Sequence, residues 1–187
     1  MRSFAELEDS EVALTAEAWR ERASEGEGYV HAMVNEGRFA GASLAHSHSQ
    51  LVWLREPPPL AEDAGAVAGL LEAHPLAEEN GVVLAVHPVG RTPYELLIAP
   101  REPAADAFGA RLDAALRLLR KGIRRLRDTE GPVSWNAWLH QGEHWHLEVV
   151  PKLTVPAGLE LGAGLYVNVV PPEQAAAALR APISDVD

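Results

Sequence analysis

The sequence contains no cysteine and comparatively little positive charge. Without cysteine the chain can form neither a disulfide framework nor a thiolate metal site. Its 16 lysines and arginines stand against 27 aspartates and glutamates, which gives a formal net charge of −11. This balance argues against a nucleic-acid partner, because such partners are held by many basic contacts to phosphate.

Long apolar runs are also missing. No stretch reaches the roughly 18 uninterrupted apolar residues that a membrane span needs. The first residues, MRSFAE, have no apolar core of a signal peptide. We therefore expect a cytoplasmic protein with neither a membrane nor a nucleic-acid partner. Hydrophobic residues make up 47% of the 187, which is typical of a globular chain.

The spacing of apolar residues predicts an α+β fold, an antiparallel sheet with packed helices. Helices are expected at about 9–23, 61–74, 106–128 and 171–180. Strands are expected at about 29–34, 51–54, 82–86, 94–98, 133–140 and 144–150. The basic side of the helix at 106–128 is expected to face solvent, with a subunit or phosphate contact as the alternative.

Two histidines and a glutamine alternate in the segment His46-Ser47-His48-Ser49-Gln50. On a strand, His46, His48 and Gln50 would share one face. A neutral imidazole is a good phosphoryl nucleophile when an acceptor holds its second nitrogen and donors lie near the phosphate oxygens. On residue types alone, the pattern also fits a surface accident or a transition-metal site.

The sequence from Asn35 to Gln50, NEGRFAGASLAHSHSQ, resembles the active-site segment of galactose-1-phosphate uridylyltransferases, which belong to the histidine-triad superfamily. The family pattern of Asn, Gly-x-Ser and His-Pro-His-x-Gln fits without a gap, with serine at the proline position. The resemblance implies that His48 becomes covalently nucleotidylated. It implies that the His46 carbonyl orients His48; in many members this histidine also ligates zinc, together with cysteines that this chain lacks. Phosphate contacts are implied for Gln50, Ser43 and Asn35, and Gly41 would let the backbone approach the ligand.

A second group of candidate ligands comprises His140, His146 and Glu148. Their strands would form a hairpin that brings His140 opposite the other two. Two histidines and a carboxylate suit zinc or iron, although the polar face of an edge strand gives the same pattern. The surrounding HWHLEVVPKL resembles the second-domain signature of the same transferases. That resemblance implies metal ligands at these positions in some members, with an acidic residue such as Glu62 as a fourth.

The resemblance continues through AGLELGAG at 157–164 and PEQAA at 172–176. It implies that this stretch, including Glu160, helps to hold the sugar phosphate, often in the neighbouring subunit of a homodimer. Lys152 is a candidate phosphate contact. Family members are two fused histidine-triad-like domains. We therefore expect the carboxyl-side part of a first domain at 1–60, a partial repeat, and a complete second domain at 61–187.

The function implied by the resemblance is nucleotidyl transfer in galactose metabolism. UMP would pass between a UDP-hexose and a hexose-1-phosphate through the nucleotidyl-histidine, so the partners would be a UDP-sugar and a sugar phosphate. One alternative is an ADP-sugar or dinucleoside-polyphosphate phosphorylase. Others are a half-enzyme subunit that needs an amino-terminal partner chain, and a metal-dependent binding module.

Overall fold

One antiparallel sheet organises the residues that the computed structural model describes, 2–62 and 67–180. Its strand order is β2-β1-β6-β7-β5-β4-β3. The strands are β1 (Tyr29–Glu36), β2 (Ser49–Leu54), β3 (Pro75–Glu79), β4 (Val82–Val86), β5 (Leu96–Pro100), β6 (Trp135–His140) and β7 (His146–Pro151). The predicted α+β fold with an antiparallel sheet and packed helices is confirmed.

Helices cover the sheet. They are α1 (Asp9–Ala23), α2 (Pro59–Glu62), α3 (Val67–Leu71), α4 (Leu112–Glu130), α5 (Gly158–Ala163) and α6 (Pro172–Arg180), with single 3-10 turns at Phe4–Glu6 and Arg38–Ala40. Helix α1 has the predicted bounds. The helix expected at 61–74 falls partly outside the described residues, and its carboxyl-side part ends at Leu71.

The main core lies between one face of the sheet and the long helix α4. Apolar side chains from α1, α4 and α6 pack there against inward-facing residues of the strands. Gly122 of α4 passes so close to Leu84 and Leu96 that a side chain would crowd them. On the opposite face, α3 covers β4 and β5 through Val67 and Leu71. Candidate residues on β1, β2, β6 and β7 lie on this second face, whereas the cavity described below is lined by Phe4 and Val34 of the main core.

Strand β3 was not expected from the sequence. It forms a hairpin with β4, and the turn between them places Asn80 and Gly81 at φ 48° and 70°. Asn-Gly is the favoured pair for a two-residue turn with positive φ at both positions. This dipeptide was therefore a readable signal that the helix expected up to residue 74 is followed at once by a strand.

The expectation that the basic side of α4 simply faces solvent is wrong. Its arginines hold the amino-terminal segment and β3 in place. Arg120 and Arg124 donate to the backbone carbonyls of Leu7 and Ala5, both at 2.7 Å. Arg117 pairs with Glu79 at 2.5 Å. These contacts fix residues 5–7 next to the candidate active site.

The sheet is continuous across the division expected near residue 60. Strand β1, from the first part, pairs with β6, from the second, in the register Ala32↔Leu139 and Asn35↔Asn136. The proposed division into 1–60 and 61–187 stays a prediction. Within residues 2–62 and 67–180, no helix combines the length and the apolar character that crossing a bilayer would require.

Candidate active site

The two central histidines lie in the loop between β1 and β2, not on a strand. Pairing of β2 with β1 starts only at Ser49, opposite Val34. The expectation that His46 and His48 share a strand face with Gln50 is therefore wrong, since only Gln50 belongs to β2. The chain reaches this loop through turns at Gly37 and Gly41, whose φ values are 86° and 75°.

His48 is held by its neighbour. Its Nδ1 atom lies 3.3 Å from the backbone carbonyl oxygen of His46. A carbonyl can only accept, so this contact places the ring proton on Nδ1 and leaves a lone pair on Nε2. The His46 carbonyl thus has the geometry for the orienting role that the family resemblance implies. The two rings meet edge to face, with centroids 6.2 Å apart.

A cavity of about 390 Å³ adjoins His48. His46, His48 and Ser47 form one wall, and Arg2, Phe4, Leu7 and Thr15 are among the residues of the others. This volume lies within the usual range for small-molecule pockets, roughly 300–1,000 Å³. His48 is only partly buried, so a phosphate can approach it.

The backbone around His48 is anchored on both sides. The Ser47 amide donates to the Arg2 carbonyl at 3.0 Å. The Trp19 indole of α1 donates to the Ser49 hydroxyl at 2.9 Å. The amino-terminal segment and α1 therefore fix the residues on either side of His48.

Three side-chain amides form a hydrogen-bonded chain across β6, β1 and β2. Asn136 of β6 donates through Nδ2 to Asn35 Oδ1 at 2.6 Å and to the Ala40 carbonyl at 2.8 Å. Asn35 in turn donates through Nδ2 to Gln50 Oε1 at 3.3 Å. The structure thus brings the predicted residues Asn35 and Gln50 together. It adds Asn136, which no local spacing could reveal because it lies 101 positions from Asn35.

The other residues predicted to hold phosphate are spread more widely. Gly41 and Ser43 are exposed in the β1–β2 loop. Lys152, directly after β7, is half-buried, and burial together with the charge of Arg91 lowers its pKa. Glu160 is partly exposed and accepts from the Ala157 amide at 2.8 Å, so it caps the start of α5.

His140, His146 and Glu148 meet across β6 and β7, as expected. His140 stands opposite His146 in the pairing, and their rings stack with centroids 4.6 Å apart. Glu148 Oε1 lies 3.8 Å from His140 Nε2 and 4.0 Å from His146 Nε2. Three donor atoms of these residues lie within 4.8 Å of one another, so the group could hold a metal ion.

The environment favours a neutral imidazole beside an ionised carboxylate. Burial, helped by His140, lowers the pKa of His146 to about 4. Burial opposes ionisation of Glu148, but the nearby His140 side chain and the charge of Arg91 outweigh it and lower its pKa to about 2. These are the protonation states that a metal ion requires of its ligands.

Arg91 was not foreseen from the sequence. Its Nη2 donates to Glu148 Oε2 at 2.7 Å and to Glu95 Oε1 at 3.1 Å. The guanidinium carbon lies 5.8 Å from the centre of the Trp138 ring. Arg91 therefore orients Glu148 from outside, with Oε1 turned to the histidines, as partners of metal ligands commonly do.

His140, His146 and Glu148 supply the donor types of a three-ligand metal site, but the Trp138 indole occupies the Nε2 lone pair of His140, so a metal ion bound there would have to displace it. The Nδ1 atom of His146 lies 3.4 Å from the His144 carbonyl, which turns its Nε2 lone pair to Glu148. Buried Nδ1 of His140 has no hydrogen-bond partner among the described residues, while its Nε2 accepts from the Trp138 indole at 2.6 Å. Glu62 ends α2, but its side chain lies outside the described part of the chain.

The two candidate sites lie along the same sheet. Gln50 pairs with Met33, Met33 with Trp138, and Trp138 with Glu148. Three strand spacings of about 4.8 Å separate Gln50 from Glu148, or roughly 14 Å. The predicted site with His48 and Gln50 is therefore distinct from the site formed by His140, His146 and Glu148, although both belong to the same sheet.

Sequence comparison identifies one relative of interest. No protein-family model matches the chain. The curated ADP-glucose phosphorylase of Arabidopsis thaliana is 30% identical, over 81% of this chain and 51% of that protein. The chain therefore spans about half the length of this curated relative.

Solved structures share the fold. An ADP-glucose phosphorylase from Arabidopsis thaliana with bound ADP-glucose has a TM-score of 0.84 at 22% identity, covering 95% of this chain and 68% of its own. A galt-like protein from the same plant has a TM-score of 0.84 at 23% identity, with 97% and 72% covered. A uridylyltransferase has 0.83 at 22%, with 96% and 70% covered. At these identities the likeness concerns the fold.

Proposed function

We propose, from the confirmed resemblance of this chain to the galactose-1-phosphate uridylyltransferase family, that it acts in nucleotidyl transfer with His48 as the temporary carrier. The observation that supports this most directly is the contact of His48 Nδ1 with the His46 carbonyl. It leaves Nε2 as the nucleophilic atom, at the edge of a cavity of about 390 Å³.

The reaction would take two steps. In the first, Nε2 of His48 attacks the α-phosphorus of a nucleotide sugar, a P–N bond forms, and the P–O bond to the leaving sugar phosphate breaks. In the second, an oxygen of an acceptor phosphate attacks the same phosphorus, and the P–N bond breaks to restore the imidazole. Gln50 would donate through Nε2 to a non-bridging oxygen, where charge gathers in both transition states. Asn35 and Ser43 would contact the phosphates.

The preferred donor in this proposal is ADP-glucose. The curated relative at 30% identity is an ADP-glucose phosphorylase, which favours the phosphorylase alternative over UMP transfer in galactose metabolism. The carried group would then be AMP, the first product glucose-1-phosphate, and the acceptor orthophosphate, which yields ADP. Transfer of UMP from UDP-glucose to a hexose-1-phosphate is the second candidate, supported by the active-site segment from Asn35 to Gln50.

Mass spectrometry of the labelled protein tests both candidates. The chain is incubated with ADP-glucose or UDP-glucose without acceptor, digested under mildly alkaline conditions, and searched for an AMP or UMP adduct. We expect an AMP adduct on His48 that disappears on adding orthophosphate, no adduct in His48→Asn, and an unchanged adduct in the control His74→Asn. No adduct with either donor, or an adduct on another residue, would contradict the proposal.

We further propose that His140, His146 and Glu148 hold zinc or iron. An ion bound there would join β6 to β7, and its role would be structural because the site lies roughly 14 Å from Gln50. We expect purified protein to contain about one metal ion per chain and to lose thermal stability in a chelator. His146→Ala should remove both the metal and the chelator effect, whereas His74→Ala should change neither. Metal-free protein with no response to added zinc or iron would refute this site.

A homodimer is the assembly we propose. Between residues 155 and 169, the side chains of Val155, Leu161, Leu165 and Val169 are largely exposed. Exposed apolar side chains support a subunit contact by this stretch, which with Glu160 is proposed to reach the sugar phosphate of the neighbouring subunit. Lys152 is proposed as a phosphate contact. Light scattering should give the mass of a dimer, and Leu161→Asp should lower it. A monomer would instead favour a separate amino-terminal partner chain. A cytoplasmic location remains a prediction.

A further inference from the structure

We infer that Asn136 is a positioning residue that sets which end of the Gln50 amide faces the reacting phosphate. This inference rests on the proposed function, because it concerns the donor that Gln50 supplies in nucleotidyl transfer. It assigns a role to a residue on β6, far from the histidine segment in sequence.

An amide nitrogen carries two hydrogens, and each of them can be donated to an acceptor. Asn136 Nδ2 has two, and both are used, one on Asn35 Oδ1 at 2.6 Å and one on the Ala40 carbonyl at 2.8 Å. A carbonyl only accepts, so the Ala40 contact fixes which end of the Asn136 amide is nitrogen. Asn35 Oδ1 must then be the acceptor, and the Asn35 nitrogen points the other way.

The orientation of the Asn35 amide in turn fixes the orientation of the Gln50 amide. Asn35 Nδ2 donates to Gln50 Oε1 at 3.3 Å. With its oxygen engaged by Asn35, Gln50 is left with Nε2 as the free end of its amide. A free Nε2 group is a donor, which a phosphate oxygen needs, whereas a free Oε1 would repel that oxygen.

Strand pairing fixes the relative positions of these three amides. Asn35 and Asn136 are directly opposite each other on β1 and β6, and Gln50 lies on β2 across the other side of β1. Paired positions share a face of the sheet. Asn136 also anchors the 3-10 turn Arg38–Ala40 at the start of the histidine loop. The Asn136 side chain therefore links β6 both to Asn35 on β1 and to the turn that precedes the histidine loop.

Asn136→Asp is the most informative variant. The carboxylate has the same shape but no N–H, so it must accept from Asn35 Nδ2. The Asn35 amide would turn over, present its oxygen to Gln50, and draw Gln50 Nε2 away from the phosphate. Asn136→Ala removes the donor without adding a charge and covers the case in which the aspartate variant folds poorly. Gln141→Glu is the matched control, since Gln141 Nε2 also donates to a β1 carbonyl, that of Val30, at 2.7 Å.

The kinetic test follows nucleotidylation of His48 by ADP-glucose and by UDP-glucose. We expect Asn136→Asp to slow the step at saturating donor by about 10- to 100-fold, with a smaller effect on the half-saturating concentration. Gln50→Ala should slow it similarly. Adding Asn136→Asp to Gln50→Ala should cost less than about twofold more, because the first change acts through the second residue. Wild-type rates in both Asn136 variants, or effects that multiply in the double variant, would overturn the inference.

Nuclear magnetic resonance separates this inference from the proposed function. Side-chain amide signals of Asn35 and Gln50 should shift in both Asn136 variants and stay in place in Gln141→Glu. If the wild type is never labelled by nucleotide, the proposed function fails and the amide signals alone decide whether Asn136 orients Gln50. Unshifted Gln50 signals in well-folded Asn136 variants would overturn the positioning role.

Discussion

Replacing Arg91 by methionine should destabilise the chain more than the loss of a surface arginine would. Arg91 donates to two carboxylates whose side chains are 1% (Glu95) and 17% (Glu148) exposed. Methionine keeps most of the apolar stem but removes the charge. Glu148 would then be a mostly buried carboxylate without a cationic arginine beside it.

The loss of stability in Arg91→Met depends on the hydrogen bonds that each carboxylate retains. Removing one partner of a buried ion pair costs about 3–5 kcal/mol. Glu95 retains the backbone amides of residues 91 and 92, at 2.7 and 3.2 Å, and Arg91 itself is 31% exposed. We therefore expect the lower end, about 3 kcal/mol. For a chain of this size that is a fall in Tm of roughly 6–12 °C.

Chemical and thermal unfolding of matched variants measure this loss of stability. The double variant Arg91→Met/Glu148→Gln should recover at least half of the lost stability, because the amide carries no charge. Arg22→Met is the control, since Arg22 pairs with Glu25 on the surface and should cost less than about 1 kcal/mol. A cost below about 1 kcal/mol for Arg91→Met, or no recovery in the double variant, would refute the idea that Arg91 compensates buried charge.

Gly81→Ala should cost about 1 kcal/mol in unfolding free energy, because Gly81 has φ 70° but open space around it. Gly37→Ala should cost at least about 1 kcal/mol more, since a side chain there would also overlap Ser134; equal costs in urea unfolding would contradict this. With a chelator present, unfolding free energy should fall by up to about 3 kcal/mol as the pH drops from about 6.5 to 4. The reason is that His146, with its pKa lowered to about 4 in the fold, takes up a proton earlier in the unfolded chain. His146→Gln should flatten that slope in pH-dependent unfolding.

The elements with a strong local pattern could be predicted from sequence. Helix α1 has the predicted bounds, because acidic residues at its start and the Gly-rich turn after Ala23 mark both ends. The β4–β5 hairpin was also foreseen. Strand β3 was missed although Asn80-Gly81 marks its turn. Helix α4 begins at Leu112, six residues after the predicted start, because the apolar spacing is already helical from Asp106.

The candidate sites were foreseen only where residues act near their sequence neighbours. The family resemblance of the segment from Asn35 to Gln50 assigned Asn35, His48 and Gln50 to one site, and the structure brings Asn35 and Gln50 into contact. Arg91 and Asn136 contact their sites only because the strand order of the sheet brings distant segments together. That order depends on packing of the whole chain, which no short segment contains.

The pairing of β1 with β6 has a consequence for how the chain matures on the ribosome. Strands β1 and β2 can form a hairpin soon after they emerge, but the inner edge of β1 must wait until roughly another hundred residues have been made, because its partner Asn136 is 101 positions from Asn35. Contacts so distant in sequence slow folding. Until then that edge is open to wrong pairing. The nascent chain should therefore complete the contacts between Asn136, Asn35 and Gln50 abruptly and late, once β6 has emerged.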